Sequence, residues 1–176
     1  HCSKRLIGGV VGTQMSNFGL EEALGEKKIP FVRAGVGDRY VLAELDKRNW
    51  VLGGESSGHL LCLNVTTTGD GVISALQVLA AMLEFDSSLG ELKAGMKKYP
   101  QNMINVACQK KVDLDSQGAI TKAVALTEKK LGGRGRVLLR PSGTEPVVRV
   151  MVEGEDADIV ASLTQDLASV VSAELG

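Results

Sequence analysis

Two short stretches hold the side chains with which this chain could do chemistry. The first is Arg140-Pro141-Ser142-Gly143-Thr144-Glu145-Pro146, followed by a second arginine at Arg149. A phosphate dianion asks for backbone N–H groups free of side-chain obstruction, for hydroxyl donors and for fixed positive charge, and an arginine fork matches its oxygens better than a lysine does. This segment supplies all three, and it reads as a phosphate cradle. The competing reading is a surface hairpin turn, since Ser-Gly is a common turn dipeptide and proline ends strands. The second stretch, Gly53-Gly54-Glu55-Ser56-Ser57-Gly58-His59, sets a carboxylate, two hydroxyls and an imidazole on a glycine frame. A carboxylate that accepts from two vicinal hydroxyls, with a serine beside it, is an economical reader of a hexose. Its alternative is a plain hairpin in which Glu55 and His59 pair or cap. His59 also stands open as a general base or a metal ligand, or as a structural histidine held by hydrogen bonds.

Other chemistries find no support. No G-x-S-x-G elbow marks a hydrolase, Gly8-Gly9-Val10-Val11-Gly12 does not match G-x-G-x-x-G, and no glycine loop is followed by a Walker lysine. Cys2, Cys62 and Cys108 are odd in number and far apart, without a C-x-x-C, so the expectation is small apolar residues kept reduced, neither zinc ligands nor disulfides. Charge is balanced, with 11 basic against 11 acidic residues through Lys98 and 9 against 10 after it, and aromatic residues make up 3%. Neither half is an electrostatic trap or a stacking platform for nucleic acid. No apolar run is long enough to span a bilayer and no signal pattern opens the chain, which reads as cytosolic and without a membrane partner.

These stretches need a scaffold, and 176 residues with 44% hydrophobic content can build one. Few aromatics mean a core of Val, Leu, Ile, Ala and Met, which favours an α/β or α+β fold. Residues 6–12 read as a buried strand, with Ser16 or Asn17 capping a helix that follows. Strands are expected at 31–34, 50–52 and 60–63, and helices at 39–48, 71–85 and 88–97. The 71–85 segment gives the strongest helical signal, with Ile73, Leu76, Leu79, Ala80 and Leu83 on one side and Asp70 as its N-cap. Lys97-Lys98-Tyr99-Pro100 marks a linker. Beyond it the order is a strand at 105–109, a helix at 117–131 carrying Ile120, Val124 and Leu131 on one face, and strands at 136–140 and 147–153 joined by the arginine-bearing turn. A last helix, about 156–173, turns Ile159, Val160, Leu163, Leu167 and Val170 inward. The expectation is a mixed-sheet α/β domain over 1–98, then a smaller β-α-β-β-α domain with a mainly antiparallel sheet over 99–176.

Taken together, a glycine-glutamate-x-serine-glycine-histidine loop and, about eighty residues later, an arginine-x-serine-glycine-threonine-glutamate-proline loop resemble the third and fourth domains of the α-D-phosphohexomutases. Gly37-Asp38-Arg39-Tyr40-Val41, Thr66 to Gly71 and Val150 to Asp156 are most similar to the bacterial branch that acts on glucosamine phosphate. The resemblance implies an isomerase that interconverts glucosamine 6-phosphate and glucosamine 1-phosphate through a bisphosphorylated sugar, toward UDP-N-acetylglucosamine and cell-wall precursors. It implies that Glu55 and Ser57, with His59 beside them, hold sugar hydroxyls. Arg140, Ser142, Gly143, Thr144 and Arg149 would hold the phosphate that is not being transferred, and Arg39 is either a cleft contact or a helix-surface charge. Ser56 stands where asparagine is common in that branch. The family's phosphoserine loop and its three-aspartate magnesium loop are missing from these residues. The chain therefore resembles a C-terminal half that contains no catalytic residue, is inactive alone, and has as partners a phosphosugar and the N-terminal domains of the same protein. Mg2+ would serve the parent from outside the chain. The alternatives are a non-catalytic phosphosugar-binding module and a fragment of a phosphoglucomutase or phosphomannomutase.

Overall fold

The structure, a computed structural model, describes residues 6–108, 117–143 and 145–175. The chain folds as two compact units that divide between Lys98 and Tyr99. In the first unit the order is β1 (Val10–Thr13), α1 (Phe18–Glu26), β2 (Phe31–Ala34), α2 (Asp38–Arg48), β3 (Leu52–Gly54), β4 (Leu60–Cys62), α3 (Gly71–Phe85) and α4 (Leu89–Lys93). The sheet runs β2-β1-β3-β4, with β1 parallel to both neighbours and β4 antiparallel to β3. This is the expected mixed α/β architecture. One sheet face carries Val11 and Leu61, which close a core with Val41 and Leu45 of α2 and with Ala34. Gly53, between them in register, lets α2 approach, since a Cβ there would meet Val41 and the Val11 carbonyl.

In the second unit β5 (Gln101–Ala107), α5 (Gly118–Leu131), β6 (Gly135–Pro141), β7 (Val147–Gly154) and α6 (Ala157–Leu175) form an antiparallel sheet, β5-β7-β6, with two helices. Val148, Val150 and Val152 alternate inward and meet Ile120, Leu131, Val160, Leu163, Leu167 and Val171 in one core. The opposite face of β7 is closed as well. Met151 and Glu153 are buried, and Glu153 Oε2 accepts a 2.8 Å hydrogen bond from Arg136 Nε.

Several boundaries differ from the sequence reading. β1 begins at Val10, four residues later than the apolar run 6–12 implied, because only Val10 onward pairs with β2 and β3. Asn17 caps α1 by accepting from Gly19 N–H, whereas Ser16 turns back to accept from Thr13 N–H at 2.9 Å. α4 is five residues long rather than the ten of 88–97, opened by a Ser88–Glu91 capping box that holds the Glu91 carboxyl below its usual range. β5 starts directly after Pro100 and ends at Ala107, so the strand expected at 105–109 is shifted toward the N-terminus, and Gln109 lies outside the described residues. On α6 Ile159 faces solvent and Val171, not Val170, completes the core. The largest departure is α3. Asp70 caps it as expected, accepting from Val72 and Ile73 N–H at 2.8 and 3.0 Å, yet no residue of the helix is buried. Cys62 and Cys108 are free and partly buried, burial pushes the Cys62 thiol up, and Cys2 lies outside the described residues.

Candidate functional site

In the first unit, parallel strands aim the loops that follow them toward one edge of the sheet, the edge at which open α/β sheets receive ligands. The loop after β3 is the hairpin to β4. Its backbone is closed by Glu55 N–H to the His59 carbonyl at 2.9 Å and Gly58 N–H to the Glu55 carbonyl at 3.1 Å. The hairpin alternative is therefore right about the backbone. The side chains, however, do not pair with each other. Glu55 Oε1 accepts from Gly37 N–H at 2.8 Å, across β1 from its own strand, and Oε2 makes no hydrogen bond among the described residues. Gly37 sits at φ +124°, a backbone state that side chains disfavour, so glycine is what lets this N–H turn toward the carboxylate.

His59 reaches the residue that follows Gly37. Its Nε2 stands 3.9 Å from Asp38 Oδ2, an ion pair only when the imidazole is protonated, and makes no hydrogen bond among the described residues. The ring lies directly against Gly69, where a Cβ would overlap Nε2 and Cε1. Three loops, around Gly37, Glu55 and Gly69, thus converge through one carboxylate and one imidazole. Ser56 and Ser57 are exposed at the hairpin tip. Arg39 is exposed on α2, bonded to the Tyr40 hydroxyl and stacked 4.5 Å from its ring centroid. Gly69→Ala is expected to destabilise this unit by roughly 1–3 kcal/mol through overpacking, whereas Gly71→Ala, with open space at its Cβ, is neutral. Urea unfolding followed by the fluorescence of Trp50, the single tryptophan, checks this; equal midpoints for the two variants would refute the close packing.

In the second unit the arginine-bearing turn joins β6 to β7. Ser142 N–H donates to the Val147 carbonyl at 2.8 Å, extending the β6–β7 register by one pair, and Ser142 Oγ accepts from Glu145 N–H at 3.3 Å. That register puts Arg140 directly opposite Arg149, and Arg149 directly opposite Asn105 of β5. Two like charges facing each other across a sheet repel. The one carboxylate contact of the pair among the described residues is Glu145 Oε2, 3.3 Å from Arg149 Nη2. Arg149 Nε is buried and makes no hydrogen bond among the described residues. Gly143 is exposed, with open space where a Cβ would stand. Thr144 lies outside the described residues. The row has an excess of donors and positive charge beside an unobstructed turn, an arrangement suited to a doubly charged oxyanion.

The structure keeps Glu55 and His59 on one loop cluster and Arg140, Ser142 and Arg149 on one hairpin. The sequence reading did not assign roles to Gly37, Asp38, Gly69 or Asn105. Gly37 and Asp38 carried a signal, a glycine-aspartate turn between a strand and a helix; Asn105 carried none until the strand register was known. Among the described residues no three His, Cys, Asp or Glu side chains group as metal ligands. Asp70, the carboxylate of the Thr66–Gly71 loop, is occupied with capping α3.

Comparison with known proteins gives a consistent result. Residues 2–99 match the family domain described as phosphoglucomutase/phosphomannomutase, alpha/beta/alpha domain III, and residues 103–170 match the phosphoglucomutase/phosphomannomutase C-terminal domain. The chain is 63% identical over 167 residues to the phosphoglucosamine mutase of Cellvibrio japonicus and 59% identical over 167 residues to that of Hahella chejuensis. In each case the match covers 95% of this chain and 38% of the relative. Among solved structures, the Aspergillus fumigatus N-acetylphosphoglucosamine mutase in complex with GlcNAc-6P and magnesium superposes with a TM-score of 0.83 at 19% identity, over 99% of this chain and 40% of that one. That likeness concerns the fold.

Proposed function

This chain belongs to the phosphoglucomutase/phosphomannomutase family, and from that membership we propose that it is the substrate-gripping part of a phosphoglucosamine mutase, a phosphohexomutase that interconverts glucosamine 6-phosphate and glucosamine 1-phosphate. The observation that carries the reading is the directly opposed Arg140–Arg149 pair beside the open Ser142–Gly143 turn. In this reading Arg140, Ser142, Gly143, Thr144 and Arg149 hold a phosphate ester. Glu55 and Ser57 accept and donate to hexose hydroxyls. His59 orders the loops around them, and Arg39 is a peripheral contact. Glu55 Oε1 is already committed to Gly37 N–H, so Oε2 is the oxygen left to read a hydroxyl. A grip of this kind supplies binding energy that orients the sugar, while bond making is carried by groups elsewhere.

Mg2+, bound by a structural neighbour, does not fit the residues present, since the described carboxylates form no cluster of ligands. We assign the metal and the phosphoryl donor to the part of the parent protein outside this chain; the chain spans 38% of the length of the Cellvibrio and Hahella relatives. No helix among the described residues is long and apolar enough to cross a membrane, in keeping with a reaction on water-soluble sugar phosphates in the cytoplasm.

The expected result is that the isolated chain binds glucosamine 6-phosphate in a calorimeter and shows no mutase turnover, even at high protein concentration. Turnover above background would overturn the assignment of the chemistry to other residues. Absence of heat with both glucosamine 6-phosphate and glucose 6-phosphate would overturn the grip itself.

A further inference from the structure

The strongest unexplained feature of the molecule is α3, which is apolar almost all the way round and yet uncovered. Of its fifteen residues only Glu84 is charged. Val72, Leu76, Leu79 and Leu83 follow one another at spacings of four, three and four, the seam of a helix that packs along a second helix. These four side chains are 71%, 56%, 52% and 84% exposed. A helix with this composition is normally interior to a domain, since a surface helix carries a charged face opposite its apolar one.

A second, independent observation lies on the sheet of the same unit. The face opposite α2 holds an open cavity of about 400 Å³, floored by Val10, Leu52 and Leu60 and bordered by Leu20 of α1, by Met96, and by Glu55 and Ser56 of the β3–β4 hairpin. The matched domain is described as alpha/beta/alpha, which requires helices over both faces of the sheet; here α2 fills one face, while on the other α1 reaches the cavity through Leu20 and leaves the floor open. An incomplete layer and an uncovered seam occur in the same unit.

We propose that a helical segment of the parent polypeptide, outside this chain, packs along the α3 seam and completes the layer over the Val10–Leu52–Leu60 floor. More than half of the length of the bacterial relatives lies beyond the stretch this chain matches, so the same polypeptide has the material to supply it. A second copy of the chain explains less. A two-fold contact buries a single stripe of α3 and leaves the sheet cavity as it is. The complementary face of the segment is rich in Leu, Ile, Val or Met and poor in charge, because the seam itself offers no charged side chain.

The test compares hydrogen exchange of the α3 amides, residues 72–85, in this chain and in the whole polypeptide encoded by its reading frame. Exchange is expected to be about 100-fold slower in the whole polypeptide, with the amides of β7 changing little between the two. Leu79→Glu in the whole polypeptide is expected to return α3 to the fast exchange of the isolated chain. Equal exchange in the two proteins would overturn the proposal, as would a reading frame that encodes no further helix. A dimer of the isolated chain, seen by sedimentation, whose α3 is already as slow as in the whole polypeptide would assign the seam to a second copy instead. The comparison of unmutated proteins stands even if Leu79→Glu fails to fold.

Discussion

Arg149→Ala is expected to raise the dissociation constant for glucosamine 6-phosphate about 10- to 100-fold without unfolding the second unit. The range follows from a charge-assisted hydrogen bond being worth about 1.5–3 kcal/mol and each 1.4 kcal/mol being a factor of ten. Arg149 is chosen over Arg140 because its Nε is buried and unbonded among the described residues, so the donor is already desolvated when a phosphate arrives. Its one described ion pair, with the exposed Glu145, is of the kind that contributes little, and it gives way to a dianion. Arg149→Lys keeps the charge but loses the fork, and it is expected to recover less than half of the lost binding free energy. Arg140→Ala should cost a similar factor, and the double variant less than the product of the two, because both groups serve one ligand. Calorimetry at two salt concentrations reads all of these. A dissociation constant for Arg149→Ala within twofold of the wild type would remove the cradle from the proposed function.

Much of that cradle was legible in the chain. The residue types were in plain view, and so was the alternation that turns Val148, Val150 and Val152 inward and leaves Arg149 on the other face. What could not be read was the register. The opposition of Arg140 and Arg149 depends on where the turn closes, at Ser142 N–H to the Val147 carbonyl, and a shift of one residue would have parted them. The hexose loop shows the same limit. Its carboxylate, hydroxyls and imidazole were visible, but Glu55 meeting Gly37 and His59 meeting Gly69 are contacts between loops, for which no local period exists. Helix α6 was found and its inward face drawn too wide, since Ile159 and Val170, eleven residues apart, lie on one flank of the stripe made by Val160, Leu163, Leu167 and Val171, which is the stripe that is buried. α3 was read correctly as a helix with Asp70 as its cap. Its apolar side signalled burial, yet no residue of the helix is buried among the described residues.

The same register rests on a group to which the sequence reading gave no role. Glu153 is fully buried on the sheet face that also bears Arg149, and it accepts from Arg136, its direct partner across β6–β7, at 2.8 Å. Removing one member of a buried pair leaves the other charge out of water without compensation, so Glu153→Ala is expected to destabilise the second unit by about 3–5 kcal/mol. Replacing both residues, Arg136→Leu with Glu153→Met, is expected to recover most of that loss, because apolar side chains of similar volume need no partner there. The pair's value then lies in specificity. Arg136 and Glu153 occupy one cross-strand position of the ladder and Arg140 and Arg149 another, four residues along each strand, so a buried pair satisfied only in register also keeps the two phosphate-facing arginines opposed. The double variant should accordingly regain its urea midpoint while binding glucosamine 6-phosphate several-fold more weakly than the wild type. Hydrogen exchange of the Val147–Gly154 amides, measured beside calorimetry, separates the two effects. If the double variant recovers stability and affinity together, the ion pair is a packing element only, and the register of the hairpin is held by its turn.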